Sequence, residues 1–179
     1  NWRYADDFQV PRLVFINKLD RTGADFYKDV ASVHDRLTKN AYPIQLPIGT
    51  EGGFIGIINL LTMQAHIYKD EQGKDVEIIE IPEEYKEKAQ EYRTKLLEAV
   101  AENDEALMEK YFAGQEPTLE EVKAVIRKAT IANKFIPILC GSALKNKGVQ
   151  LLLDAVVEFL PSPLEVPGIQ GTDPDDPEK

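Results

Sequence analysis

The stretch that decides the fold is Val10–Asp20, VPRLVFINKLD. Its apolar run, Leu13-Val14-Phe15-Ile16, ends abruptly at Asn17-Lys18-Leu19-Asp20. The run Val10–Ile16 alternates poorly and closes on β-branched and aromatic residues, the pattern of a strand covered on both faces, as in a parallel sheet. The turn Arg21-Thr22-Gly23 follows, and then Phe26, Val30, Val33 and Leu37 recur on one helical stripe. Strand, short loop and helix make half of a βαβ unit. An amide, an ammonium and a carboxylate therefore stand at the end of a buried strand.

The far end of the chain repeats the arrangement. Phe135–Cys140, FIPILC, is an apolar strand that stops at Gly141-Ser142-Ala143. A helix with Val149, Leu152, Val156 and Phe159 on one face follows and ends at Pro161. The span between reads differently. Short strands are expected at Ile44–Ile48, Phe54–Leu61, Gln64–Tyr68 and Val76–Ile81, the last two joined by the turn Asp70-Glu71-Gln72-Gly73-Lys74. Pro82 sits where a first helical residue is favoured, and Tyr85, Ala89, Tyr92, Leu96 and Val100 form a stripe. Leu107 and Phe112 suggest a shorter helix stopped by Gly114. Thr118-Leu119-Glu120-Glu121 is a capping box opening a helix through Val122, Val125 and Ala129.

The expected fold class is α/β. Residues 1–38 and 134–163 form part of a parallel sheet with its helices, 39–133 an α+β insert, and 164–179 a linker, with GTDPDDPEK as its tail. A crossover helix makes the two flanking strands parallel neighbours. Ligands of open parallel sheets bind beyond the carboxyl ends of the strands. The turns 17–20 and 141–143 lie at such ends, so the fold is expected to bring them together.

Composition narrows the function. Lys and Arg number 21 against 31 Asp and Glu, for a net charge of −10. That field repels phosphate backbones, which disfavours direct wrapping of nucleic acid and suits a basic protein partner. One cysteine, Cys140, excludes an internal disulfide and fits a reducing, cytoplasmic compartment. No apolar run is long enough for a membrane span. The opening Asn1-Trp2-Arg3-Tyr4-Ala5 reads as the tail of a helix, and the chain is expected to be a piece of a longer protein. Truncation of that kind would expose one edge of the sheet and invite self-association. His34 and His66 have no second ligand nearby in sequence, so no metal site is expected from them.

The two turns suit one ligand. A fixed Asp20 carboxylate offers two acceptors in one plane, and guanine presents two adjacent donors, N1–H and the N2 amino group. Adenine has neither there and would leave the carboxylate desolvated and unpaired, a penalty of several kcal/mol. Asn17 can bond the base N7 edge or tie neighbouring loops together. Lys18 can lay its stem over the purine face. Leu19 points into the core. Small residues at 141–143 let the backbone approach, so that an N–H there can donate to guanine O6.

The motifs NKLD and GSA resemble the guanine-specificity motifs of the GTPase superfamily. The wider stretches INKLDRTGADFYKDV, YPIQLPIG, FIGIINLLTMQA and CGSALKNKGVQLLLDAVVEFLPSP resemble the G domain of bacterial-type elongation factor G. That resemblance implies part of a P-loop GTPase sheet, with 39–133 as the family's G′ insert. It implies a GTP hydrolase, ribosome-dependent and driving translocation, that uses GTP or GDP with Mg²⁺ as the full-length factor. Asn17, Lys18 and Asp20 match its base-reading motif, and Ser142 and Ala143 the second. Leu144 stands where many small GTPases have a lysine, and apolar packing near the base is expected of it. The sequence contains no G-x-x-x-x-G-K followed by Ser or Thr, the pattern that cradles phosphates. No catalytic residue is therefore assigned, and this segment alone is expected to hydrolyse no GTP and to hold no nucleotide tightly.

Glu91, Glu98, Glu102, Glu105 and Glu109 share one face if residues 82–112 run in nearly continuous helical register. Such a stripe is a solvated face or a steering patch for a basic partner. The resemblance implies the stalk protein of the large ribosomal subunit as that partner, with Glu98, Glu102 and Glu105 as contact residues. Two rival readings stay open: a stalk-binding module without nucleotide binding, and another translational GTPase, such as a class II release factor or a ribosomal protection protein.

Overall fold

The computed structural model describes residues 1–165, so the tail GTDPDDPEK lies outside the described residues. A short helix α1 (Trp2–Asp7) leads into strand β1 (Val14–Ile16). The strand is shorter than the apolar run that signals it. Gln9 takes a left-handed φ of 50° and Pro11 has no N–H to give a ladder. Arg12 instead folds back, 4.7 Å over the Trp2 ring and 2.8 Å from the Asp6 carboxylate. Helix α2 (Phe26–Arg36) starts at Asp25, whose side chain accepts the Lys28 N–H, and it buries Phe26 and Val30. Leu37 falls past the helix end and is exposed.

The expected strand at Ile44–Ile48 forms over Gln45–Ile48, and a short strand that the sequence reading did not expect precedes it in a different sheet. β2 (Ala41–Pro43) runs parallel to β7 (Ile136–Cys140), and β1 flanks β7 on its other side, also parallel. The sheet order is β1-β7-β2, so β1 and β7 are the parallel neighbours that the sequence suggests. The chain then crosses at Ile44 into β3 (Gln45–Ile48), the first strand of an antiparallel sheet ordered β3-β4-β5-β6. Its other members are β4 (Gly56–Asn59), β5 (Gln64–Tyr68) and β6 (Val76–Glu80). The crossing point is hydrogen-bonded on both sides. Ile44 donates to Ile138 O at 3.0 Å and accepts from Leu60 at 3.0 Å. The buried Gln45 side chain accepts the Cys140 N–H at 3.1 Å, standing in for a strand partner at the end of β7.

Helices α3 (Glu83–Ala101), α4 (Glu105–Phe112) and α5 (Leu119–Ile131) follow, and α6 (Val149–Phe159) comes after β7. Pro82 is the residue before α3 rather than its first. Both halves of the Thr118–Glu121 capping box are made. Ala89, Leu96 and Val100 are buried as the stripe requires, and Arg93 is buried among them. Its guanidinium donates to Leu60 O at 2.7 Å and Leu61 O at 3.1 Å, satisfying carbonyls just past β4. The helical register is not continuous from 82 to 112. It breaks after Ala101, and Asp104 caps α4 by accepting the Leu107 N–H. On α6 the buried positions are Ala155 and Phe159, while Val156 is largely exposed. Phe54, Phe135, Phe159, Ile138 and Leu139 are fully enclosed and lie in one core that joins both sheets. The architecture is α/β: a parallel sheet with an attached antiparallel four-stranded sheet.

Candidate functional site

The site is set by strand register. Ile16 lies opposite Cys140 across the β1–β7 ladder, so both strands end at the same level. Asn17 and Gly141 then begin two loops side by side. The ladder extends into them: Gly141 donates to Ile16 O at 3.0 Å, and Leu19 donates to Gly141 O at 3.2 Å. Leu19 is buried, which anchors the first loop from below. Lys18, just before it, takes a left-handed φ of 65° and is exposed.

Asn17 links the two loops. Its Oδ1 accepts the Lys18 N–H at 2.8 Å and the Ala143 N–H at 2.9 Å. Asp20 is half-buried beside the buried Ser142 hydroxyl. That hydroxyl holds the carboxyl below its ordinary range, with smaller help from the charges of Lys145 and Arg21 and some opposition from burial. Asp20 is therefore ionised at neutral pH. Ser142 is fixed in turn by Lys147, exchanging backbone hydrogen bonds of 2.9 and 3.0 Å.

The structure thus brings together Asn17, Lys18, Asp20, Ser142 and Ala143. Leu144 is on the same loop and is 84% exposed. The N–H groups of Gly141, Ser142 and Ala143 all have partners within the chain. An acceptor entering here would share the Ala143 donor with Asn17 or use the next N–H, at Leu144. Sequence reading missed Lys145 and Lys147, which follow the Gly-Ser-Ala turn, and the Tyr68 hydroxyl that reaches the end of the same loop. The first two could have been suspected from their nearness to Ser142; nothing in the sequence marks Tyr68.

The acidic residues occupy a separate surface. Glu98, on α3, accepts the Tyr111 hydroxyl at 2.9 Å. Glu102 follows the end of α3, and Glu105 opens α4. Glu102 and Glu105 line one shallow depression of about 460 Å³ with Asp104, Met108 and Glu109. Glu98 borders a neighbouring one with Glu102. Glu91 is paired with Lys95 at 2.5 Å and is not part of either.

His34 Nε2 donates to Ala41 O at 2.6 Å, a structural bond between α2 and β2. Cys140 is fully buried, and burial pushes its thiol pKa up. Among the described residues, no group of three or more His, Cys, Asp and Glu is arranged to hold a metal ion. Among the same residues, no helix is long and apolar enough to cross a membrane.

Comparison with known proteins agrees with this geometry. Residues 1–162 match the family model described as the elongation factor Tu GTP binding domain. A solved crystal structure from Thermus thermophilus superposes with a TM-score of 0.81 at 33% identity, over 92% of this chain. This chain spans 24% of that protein's length. Two parallel strands ending together, an ionised carboxylate on one loop and a tied small-residue turn on the other thus occur in a sequence that fits that domain along nearly all its described length: the chain belongs to the elongation factor Tu-type GTP-binding domain family, the G domain of translational GTPases.

Proposed function

We propose that this chain is the guanine-reading part of a ribosome-dependent GTPase of the elongation factor G kind, which drives translocation in the cytoplasm. One observation carries the reading: the Asp20 carboxylate is held ionised beside Ser142, while Asn17 ties the same loop to Ala143. A charged, oriented acceptor pair suits the N1–H and N2 donors of guanine, and charge-assisted hydrogen bonds are the strong ones. Lys18 supplies an exposed aliphatic stem and a cation at the pocket rim. Leu144 covers the base edge only if its loop closes over a bound nucleotide.

The phosphate cradle and Mg²⁺ ligands of the whole factor are assigned to residues other than these, so this segment binds GDP weakly and hydrolyses no GTP. The span 39–133 is the G′ insert in this reading. Its acidic depression at Glu102 and Glu105, bordered by Glu98, suits a basic domain of the ribosomal stalk. That surface also supports the second reading, a stalk-docking module in which the nucleotide loops serve only as scaffold.

Amide NMR separates the two. GDP and ADP are titrated separately into the chain at millimolar concentration. Guanine reading gives GDP-selective shifts at residues 17–20 and 142–145. The docking-only reading gives shifts in neither loop, or equal shifts with both nucleotides.

A further inference from the structure

The hairpin turn between β5 and β6 lies directly on the second loop of the site. Gly148 donates its N–H to the Tyr68 hydroxyl at 2.7 Å, and both residues are buried. Gly148 has a φ of +87°, and a Cβ there would lie 2.6 Å from Cys140 O. The loop end is therefore fixed from two sides. Next to it, Lys147 Nζ donates to Phe54 O at 3.1 Å. Gly73 brings the hairpin backbone against the loop: a Cβ on it would lie 2.4 Å from Asn146 O and 2.8 Å from Lys145 O. Asn146 Nδ2 also points at Gly73 O, at 3.4 Å, and Lys145 Nζ lies 3.4 Å from Glu71.

The turn is itself stiff. The Asp70 carboxylate accepts the N–H groups of Gln72 at 2.6 Å, Lys74 at 3.1 Å and Asp75 at 2.6 Å. On the other side, Lys147 pairs with Ser142 through backbone bonds in both directions, and Ser142 stands beside Asp20. The hairpin thus touches residues 145–148 of the loop, whose Lys147 is backbone-bonded to Ser142, beside Asp20.

We propose that Tyr68 and Gly73 are positioning residues for guanine selectivity: the antiparallel sheet holds the loop 142–148 at the spacing from Asp20 that the base requires. The inference rests on the guanine-reading function proposed above. It makes the attached sheet part of the specificity device as well as a docking platform. Loss of the Tyr68 hydroxyl frees the Gly148 N–H, and a side chain at 73 pushes the turn off the loop. Either change lets Ser142 drift from Asp20 although neither of those two residues is itself altered.

The test uses the full chain with Tyr68→Phe and Gly73→Ala, and Asp20→Asn as a reference. Two quantities are read: the ratio of GDP to ADP affinity by NMR titration, and amide hydrogen exchange at Ser142, Lys147 and Gly148. Each positioning variant is expected to lower the ratio about 3–10-fold, the loss of one ordinary hydrogen bond. It is also expected to speed exchange at these three amides while β1 and α5 amides stay protected. A merely structural role would lower the melting temperature and leave the ratio in folded protein unchanged. Gly73 is itself buried at the contact with Asn146, so Gly73→Ala is a second, independent perturbation of the same contact and carries the test if Tyr68→Phe fails to fold. An unchanged ratio in the folded variants, with the ratio collapsed in Asp20→Asn, overturns the positioning role alone. An unchanged ratio in Asp20→Asn as well overturns the guanine reading beneath it.

Discussion

Asn17 and Ala143 are 126 residues apart in the chain and share a hydrogen bond of 2.9 Å. The bond closes the gap between the ends of β1 and β7. Replacing Asn17 by Ala leaves the Ala143 N–H to water and lets the loops separate. The GDP affinity of the chain is expected to fall about tenfold, at a stability cost of about 1 kcal/mol, since an exposed donor regains a solvent partner. Chemical denaturation and nucleotide titration of the same variant check both numbers. A large stability loss with unchanged GDP binding would show the tie to be scaffold only.

Arg93 is the core residue whose loss should be felt most for its size. Its guanidinium satisfies the buried Leu60 and Leu61 carbonyls in the turn just past β4. Arg93→Ala leaves both unpaired and opens a cavity, and should destabilise the fold by about 2–4 kcal/mol. Urea unfolding midpoints measure it, and Thr118→Ala, which removes only the capping hydroxyl of α5, provides a milder comparison at about 1 kcal/mol.

Acid should act in a defined window. Glu165 is held at a pKa of about 2, first by its paired hydrogen bonds from Arg127 at 2.8 Å and then by the Ser162 N–H. A carboxyl depressed on folding contributes stability above its unfolded value of 4.5, and that contribution is lost as pH falls toward 2. Asp20 is shifted the same way from 3.8, so guanine selectivity should persist down to that pH and fail only below it. Melting temperature and GDP selectivity followed between pH 6 and pH 3 check the sign; selectivity lost near pH 6 would point to a different group.

Glu98, Glu102 and Glu105 should govern encounter with a basic partner. Reversing all three to Lys is expected to slow association with the large-subunit stalk protein by about tenfold or more at low salt, with the difference shrinking as salt rises. Stopped-flow binding at two ionic strengths measures it. Unchanged rates at low salt would rule out a steering role for the acidic surface.

Much of this molecule is legible in its sequence for identifiable reasons. The strands flanking the site carry strong apolar runs that stop at polar turns, and α5 carries a complete capping box. Periodicity places α2 and α3 for the same reason. What the sequence hides is decided by tertiary contact. Ala41–Pro43 has no strand pattern of its own and is recruited by β7. Arg93 sits on a buried stripe because carbonyls of a distant loop await it. The break at Glu102–Asp104 comes from a capping aspartate inside what looks like one acidic run. At the site, Asn17, Asp20 and Ser142 are visible as a motif, but the support from Tyr68 and Gly73 depends on a hairpin whose docking no local pattern records.

The most direct test of guanine reading exchanges the base against the carboxylate. An amide at position 20 offers one acceptor and one donor, which suits xanthine, where O2 replaces the guanine amino group. Affinities for GDP and xanthosine diphosphate are measured for the native chain and for Asp20→Asn. A crossover is predicted: the native chain prefers GDP, the variant prefers xanthosine diphosphate, and GDP affinity drops by about 30-fold or more, as expected for loss of charge-assisted hydrogen bonds. Equal preference for GDP in both proteins would contradict it.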